Sequence, residues 1–375
     1  MRVVTKFLNQ RTSHLAEHID NVSQFDSNDV YYFYDVTSDN ELSSLFAQKS
    51  LPKFIVTDHI LKFDHPGLEI SKFYGFPIFL ENQVNLFKNN SFTDNTNTKH
   101  CFNFMINKKQ INRYLLIKFV QWFKLKDYDF TWSGNGKAEN LSIIIDELNT
   151  INDPWKTVDL KNFLLSPIDH DIKFIPFKDE DIKNLDLYQQ HAMKNNGFYG
   201  GNKWTWDNVL SDMFNSSAIA LISESLSYQR ASVFTEKTLY SILGLNFPIW
   251  VGGAWQADEF KKIGLDPFDD IIDHSYQYCN TLIERCYRAF SDNIELLTNL
   301  EKTSSLRDQC RSRLLKNRDF LLNGGLTKLI DTQLNNLPLD LKECLIPFIN
   351  TTWHRSNDEF LIGYDAMLQL ITKSQ

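Results

Sequence analysis

The sequence predicts a protein of the α/β class, built as two parallel-sheet halves facing a cleft with a mostly helical C-terminal tail. Three observations predict it. Short runs of β-branched and aromatic residues alternate with segments of helical spacing, the pattern of strands joined by crossover helices. The series is interrupted by the polar stretch 88–99 (KNNSFTDNTNTK) and then restarts. From residue 291 onward the spacing is helical without further strands.

In chain order, residues 30–36 (VYYFYDV) read as a strand bounded by Asn28/Asp29 and Ser38/Asp39. Residues 40–49 follow with helical spacing at Leu42, Leu45 and Phe46. Residues 52–58 (PKFIVTD) form a second strand and 76–81 (FPIFLE) a third. The polar stretch ends this unit, giving an N-terminal α/β domain at 1–98, a second domain at 99–330 and a helical extension at 331–375. In the second unit, 101–106 is a strand and 110–123 a helix with Ile111, Leu115, Phe119 and Trp122 on one side. Another strand occupies 128–132. Residues 150–215 are less regular and carry the glycine-rich patch 195–201 (NNGFYGG). The clearest strand–helix–strand unit is next: strand 217–223, helix 235–243 ending near Gly244, and strand 247–251 ending in Gly252-Gly253. Helices at 257–263 and 275–290 complete it. Each half is Rossmann-like, and ligands of such sheets bind outside the carboxyl ends of the strands.

With 375 residues, 42% hydrophobic and 23% charged, the chain has an ordinary globular balance. Disordered, collagen-like and repeat classes are excluded. A net charge of -8 argues against nucleic acid or an anionic membrane as the main partner, since a polyanion needs a basic face. Cys101, Cys279, Cys286, Cys310 and Cys344 are scattered without a CxxC pair, so neither a disulfide framework nor a zinc site is expected. The start shows no apolar signal segment, and no stretch is long enough to span a membrane. A soluble, cytoplasmic protein with free thiols is expected.

The stretch 219–253 concentrates the chemistry. Its strand delivers Glu224 and Ser225 at the carboxyl end, and a loop leads to Thr235, Glu236 and Lys237 at a helix start. Thr235 suits an N-cap, and the free N–H groups of a helix start favour an anion. A lysine in the first turn opposes the macrodipole unless it meets a phosphate. Glu236 can accept from vicinal hydroxyls, as acids do on a ribose. Ordinary capping and a solvated lysine account for the same three residues on spacing alone.

The order Glu224-Ser225, then Phe234-Thr235-Glu236-Lys237-Thr238, a helix, and Phe247-Pro248-Ile249 before Gly252-Gly253 resembles the donor-binding segment of α1,3-fucosyltransferase-type glycosyltransferases, including phage and bacterial relatives. The resemblance covers about residues 99–290. It implies a GT-B-like fold and a nucleoside diphosphate sugar, GDP-fucose-like, as donor. By the same resemblance Arg113, behind the first strand of the second half, and Lys237 grip the diphosphate, while Glu236 holds ribose hydroxyls. The run Asp273-His274-Ser275-Tyr276 and Arg285 also match the family's sequel.

Glycosyl transfer requires a stabilised leaving diphosphate, a base for the acceptor hydroxyl and exclusion of water. Arg113, Lys237 and a helix end can supply the first without a metal, so no cofactor is expected. A divalent cation would need acidic pairs such as Asp169/Asp171, Asp179/Asp181 or Asp269/Asp270. The base is expected from the N-terminal half, as Asp58 or Glu81, each placed at a strand's carboxyl end, with His59 and Glu69 nearby. Phe198, Tyr199, Trp204 and Trp206 could stack on a sugar or base, or fill a core. The resemblance implies inversion at the anomeric carbon, and a glycan or other hydroxyl as acceptor. Two alternatives stand beside this reading: a non-catalytic glycan- or nucleotide-binding protein on a degenerate transferase fold, and a transferase acting on modified DNA bases.

Overall fold

The computed structural model describes residues 3–7, 30–34, 54–57, 60–61, 71–74, 76–85, 87, 90, 92, 97–106, 110–132, 141–150, 156–166, 168, 206–224, 231–343 and 346. Strands β1 (Val3–Phe7), β2 (Val30–Tyr34), β3 (Phe54–Thr57), the short β4 (Ile60–Leu61) and β5 (Ser71–Tyr74) belong to the first half. β1, β2, β3 and β5 pair in parallel in that spatial order, with Val3 opposite Val30 and Phe54 opposite Ser71.

A second parallel sheet follows, made of β6 (His100–Ile106), β7 (Tyr128–Trp132), β8 (Ser217–Ile222) and, after the short β9 (Ala231–Ser232), β10 (Phe247–Trp250). Its spatial order is β7-β6-β8-β10. The chain leaves β6 toward β7, then returns across it to build β8 and β10 on the other side. β9 pairs antiparallel with β4. That pairing ties the segment after β3 to the stretch leading out of β8.

Helices cover both faces of the second sheet. They are α1 (Phe76–Asn85), α2 (Ile111–Trp122), α3 (Leu141–Thr150), α4 (Val158–Leu165), α5 (Ser211–Asn215), α6 (Glu236–Leu243), α7 (Gln256–Lys262), α8 (Leu282–Ser291), α9 (Ile294–Thr298), α10 (Leu300–Gln309), α11 (Arg311–Leu322) and α12 (Gly325–Asn335). Strand alternation divides the core in two. Phe102, Phe104, Ile219, Leu221, Phe247 and Ile249 face α2, α3, α4 and α8. Met105, Ala220, Ile222 and Trp250 face α1, α6, α7, α11 and α12. Strands buried on both faces read as continuous apolar runs, which is why β8 (SAIALI) is buried throughout. Much of the aromatic stock fills these two layers. Phe102 stacks on Tyr128, and Phe104 on Phe130. Trp206 stacks on Tyr240.

Two elements differ from the sequence expectation. Residues 76–81, read as a strand, begin helix α1. Their apolar run continues as Leu80, Val84 and Phe87, a helical spacing that joins the second layer. Pro77 fits the first turn, where its missing N–H costs nothing. The single helix expected over 275–290 is broken. A 3₁₀ turn spans Ser275–Tyr278, Cys279 is extended, and Thr281 caps α8 by accepting from the Glu284 N–H.

The amino ends of β6, β8 and β10 are held together by one buried side chain. Arg307 of α10 donates through Nε to the Leu245 carbonyl, 3.0 Å, and through Nη2 to the Gly244 carbonyl, 2.7 Å. Its Nη1 reaches the Asn215 carbonyl at 2.8 Å and Thr98 Oγ1 at 3.1 Å. Asn215 ends α5 and Gly244 caps α6, so the cation sits on the negative ends of two helices. Burial draws its guanidinium down to about 10. R307A should lower stability by about 3 kcal/mol or more, because several carbonyls lose their donor at once. R307K should recover only part of this, since an ammonium lacks the planar fork. Urea unfolding midpoints at constant m measure both; a loss under about 1 kcal/mol for R307A would contradict the role.

Candidate functional site

The strand order reverses between β6 and β8, and α/β sheets bind ligands in the crevice outside the carboxyl ends of such a strand pair. α2 follows β6 and presents two buried polar residues there, Asn112 and Arg113. Asn112 Nδ2 donates to the backbone carbonyl of Glu224, 2.8 Å away, and so spans the crevice. On the far side of β8, β10 is followed by a turn at Gly252, φ +79°. A Cβ there would come within 2.7 Å of Leu282 and 3.0 Å of the Cys286 sulfur, so only glycine permits this approach.

Glu224 is 1% exposed, and its carboxylate organises the start of α6. Oε1 accepts from the Thr235 N–H at 3.1 Å and from the Thr238 hydroxyl at 2.6 Å; Oε2 accepts from the Thr235 hydroxyl. Thr238 in turn accepts from the Trp250 indole N–H at 3.0 Å. With its proton given to Glu224, Thr235 Oγ1 turns its lone pairs to the Lys237 N–H and Lys237 Nζ, each at 3.4 Å. Thr235 is therefore the N-cap, as expected, and the chain of bonds runs unbroken from Trp250 to Lys237. Burial raises the Glu224 carboxyl; Lys237 draws it partly down, and Glu236 pushes it up again.

Beside this chain, Lys237 Nζ donates to Glu236 Oε1 at 2.8 Å. Burial alone would raise the Glu236 carboxyl. The Lys237 charge and hydrogen bond, its own backbone N–H and the Arg113 charge outweigh that and hold it below the ordinary carboxylate range. The structure thus brings Arg113, Glu224, Thr235, Glu236 and Lys237 together at one crevice. Glu224 acts there through α6: its oxygens are taken by the helix start, which it positions. Ser225 and Asp58 lie outside the described residues, as do His59, Glu69, Phe198, Tyr199, Trp204 and the acidic runs at 169–171 and 179–181.

Other expected participants are placed elsewhere. Glu81 sits in α1 rather than at a strand end, and it accepts from Thr327 of α12. Trp206 is 3% exposed and packs among Phe87, Phe214 and Tyr240, so it is a core residue. Asp270 is bound by the Arg313 fork, and Asp269 by Lys261 and His274. His274 and Arg285 fix β10 from outside. His274 Nε2 lies 3.1 Å from the Pro248 carbonyl, and Arg285 Nε donates to the Gly252 carbonyl at 3.0 Å. Burial pulls the His274 imidazole below its ordinary value against the pull of Pro248 and Asp269. Thr238 and Trp250 are members of the site that sequence reasoning missed. The three-residue spacing of Thr235 and Thr238 was the available signal, since it sets both hydroxyls on one helix face.

The two acids have opposite linkage. Glu224, raised in the folded state, contributes stability below the unfolded carboxylate value of about 4.3, lost as pH rises through its folded value. Glu236, lowered, contributes above about 4.3 and loses that contribution as pH falls through its folded value. Urea unfolding from about pH 2 to 8 should therefore show the advantage of wild type over E224Q shrinking as pH rises above about 4.3, and that over E236Q level above about 4.3 and falling away below it. E224Q should cost about 1–3 kcal/mol at the acid end, because an amide N–H₂ cannot accept from the threonines. Parallel stability curves for wild type and E224Q would refute the assignment. The role of this cluster rests on its own geometry, because the chain matches no family model, no curated protein and no solved structure.

Proposed function

We propose that the chain is a glycosyltransferase of GT-B-like architecture, two Rossmann-like domains facing a cleft. It moves a sugar from a nucleoside diphosphate sugar, GDP-fucose-like by the sequence resemblance, to an acceptor hydroxyl, with inversion, in the cytoplasm. One observation carries the reading: buried Lys237 is bonded to the acid Glu236, and the charge of buried Arg113 acts on the same acid, at the switch point between β6 and β8. A structural helix start needs none of this beyond its cap. A diphosphate leaving group needs two fixed positive charges where water is sparse, and there they act without a metal.

In this reading Lys237 and Arg113 neutralise charge as it develops on the leaving diphosphate, and Glu236 accepts from ribose hydroxyls. Glu224 keeps the first turn of α6 aimed at the crevice. The acceptor's proton goes to a base of the N-terminal half. The β4·β9 pairing favours Asp58 over Glu81 for this: Asp58 precedes Ile60 by two residues, and Thr235 follows Ser232 by three.

Calorimetry and thermal shift against a panel of nucleoside diphosphates and their sugars test the reading. One base class should bind and raise the melting temperature. K237M keeps the aliphatic stem packed while removing the charge, and it should weaken binding by about tenfold or more. R113A should do the same. If no nucleoside diphosphate binds the wild-type protein, the reading fails.

A further inference from the structure

The cation that would hold a phosphate already has an anionic partner. Lys237 Nζ rests 2.8 Å from Glu236 Oε1, and the same carboxylate folds back on its own backbone N–H at the first residue of α6. A helix-end N–H and a lysine ammonium are the two donors an incoming phosphoryl oxygen would seek. Glu236 is also the outer member of the pair. Its side chain is 20% exposed and that of Lys237 4%, so a ligand entering from solvent meets the acid first.

We infer that Glu236 is a built-in counter-ion, standing where a ligand anion would stand, which a diphosphate must displace from Lys237 in order to bind. The inference rests on the proposed diphosphate site and adds its regulation. Displacement frees the acid to turn toward the hydroxyls of a ribose, so occupancy of the phosphate position and readiness of the sugar position are one event. Lys237 also stays paired before a ligand arrives, which spares the fold that much uncompensated buried charge.

The charged and titratable groups facing Glu236 among the described residues are Lys237 on its own helix, Arg113 on α2 and Glu224 just after β8. Once phosphoryl oxygens engage the two cations, Glu236 is left beside Glu224 and the ligand's own negative charge. Its carboxyl then holds a proton more readily than in the free protein, where Lys237 and Arg113 keep it low. Anion binding should therefore be accompanied by partial proton uptake from solvent.

Inorganic pyrophosphate binding by calorimetry provides the test, with wild type, E236Q and E236A, each first matched for native circular dichroism and melting. At about pH 7, E236Q should bind pyrophosphate about tenfold tighter than wild type, the scale of a close charge pair. E236A should agree in direction, which excludes a new contact made by the glutamine amide. The gap should narrow as pH falls through the raised value of Glu236 in the bound state and close only below the ordinary carboxylate value of about 4.3, because Lys237 and Arg113 hold the free acid ionised down to there; comparison at each pH cancels the ligand's own titration. Equal or weaker binding by both variants overturns the inference and leaves the diphosphate site standing, provided wild type binds. A gap that does not change with pH overturns it too, since the carboxylate charge would then not be its cause. Absence of pyrophosphate binding by all three proteins also overturns the inference; the nucleoside diphosphate panel separately decides the site.

Discussion

Everything at the carboxyl end of the second sheet depends on one buried carboxylate. Glu224 follows β8, the strand that lies next to both β6 and β10. Its oxygens hold the cap residue and the third residue of α6. Thr238 passes the bond on to Trp250 of β10, and the Glu224 carbonyl receives Asn112 of α2. Two strands and two helices thus meet in a single polar chain inside an apolar core. Such a chain is costly when any member is missing and rigid when complete. That rigidity fixes where Lys237 and Arg113 stand.

The two ends of the sheet are built on the same electrostatic rule with opposite sign. At the carboxyl end a helix begins, and its exposed N–H groups attract the acids Glu224 and Glu236. At the amino end helices finish, and their carbonyls attract the cation Arg307. Lys118 repeats the second case on a smaller scale: it is fully buried and donates to the Phe163 carbonyl at 2.9 Å in the last turn of α4. Backbone dipoles therefore carry much of the compensation for charges inside the fold. The difference lies in what holds each charge. Backbone carbonyls hold Arg307 in place permanently, whereas Glu236 and Lys237 are held largely by each other and so can be parted.

The strand–helix–strand unit around α6 was legible because each signal in it is local. β8 is a continuous apolar run, Thr235 is a good cap, and Gly252-Gly253 closes β10. Residues 76–81 misled because a short apolar run is shared by strands and buried helices; only Leu80, Val84 and Phe87 together disclose the helical period. Two further facts could not be read from the chain. Glu224 reaches residues 11 and 14 positions away, and Arg307 reaches one 209 positions away. Such partners depend on how strands are ordered in the sheet, which no local spacing encodes. Lys237 was legible as a residue type suited to a diphosphate and Glu236 as one suited to ribose hydroxyls, while Arg113 came only from the resemblance. That Glu236 pairs with Lys237 was not legible, because the expectation assigned each a separate ligand group.

That pairing changes what the acidic balance of the chain means for binding. A net charge of -8 gives the proposed diphosphate site no help from the chain's overall charge in attracting an anion. Both site cations are buried, and Lys237 is already paired with Glu236. Selection must then act at contact range. In the proposed diphosphate site an anion would gain a place only if its oxygens satisfied Lys237 and the helix N–H better than the Glu236 carboxylate does. A monoanion offers little beyond what Glu236 already supplies, whereas a diphosphate brings more charge and more acceptor oxygens to the same donors. On the proposed function, discrimination against small anions would follow from the Lys237–Glu236 ion pair itself, without any further residue to enforce it.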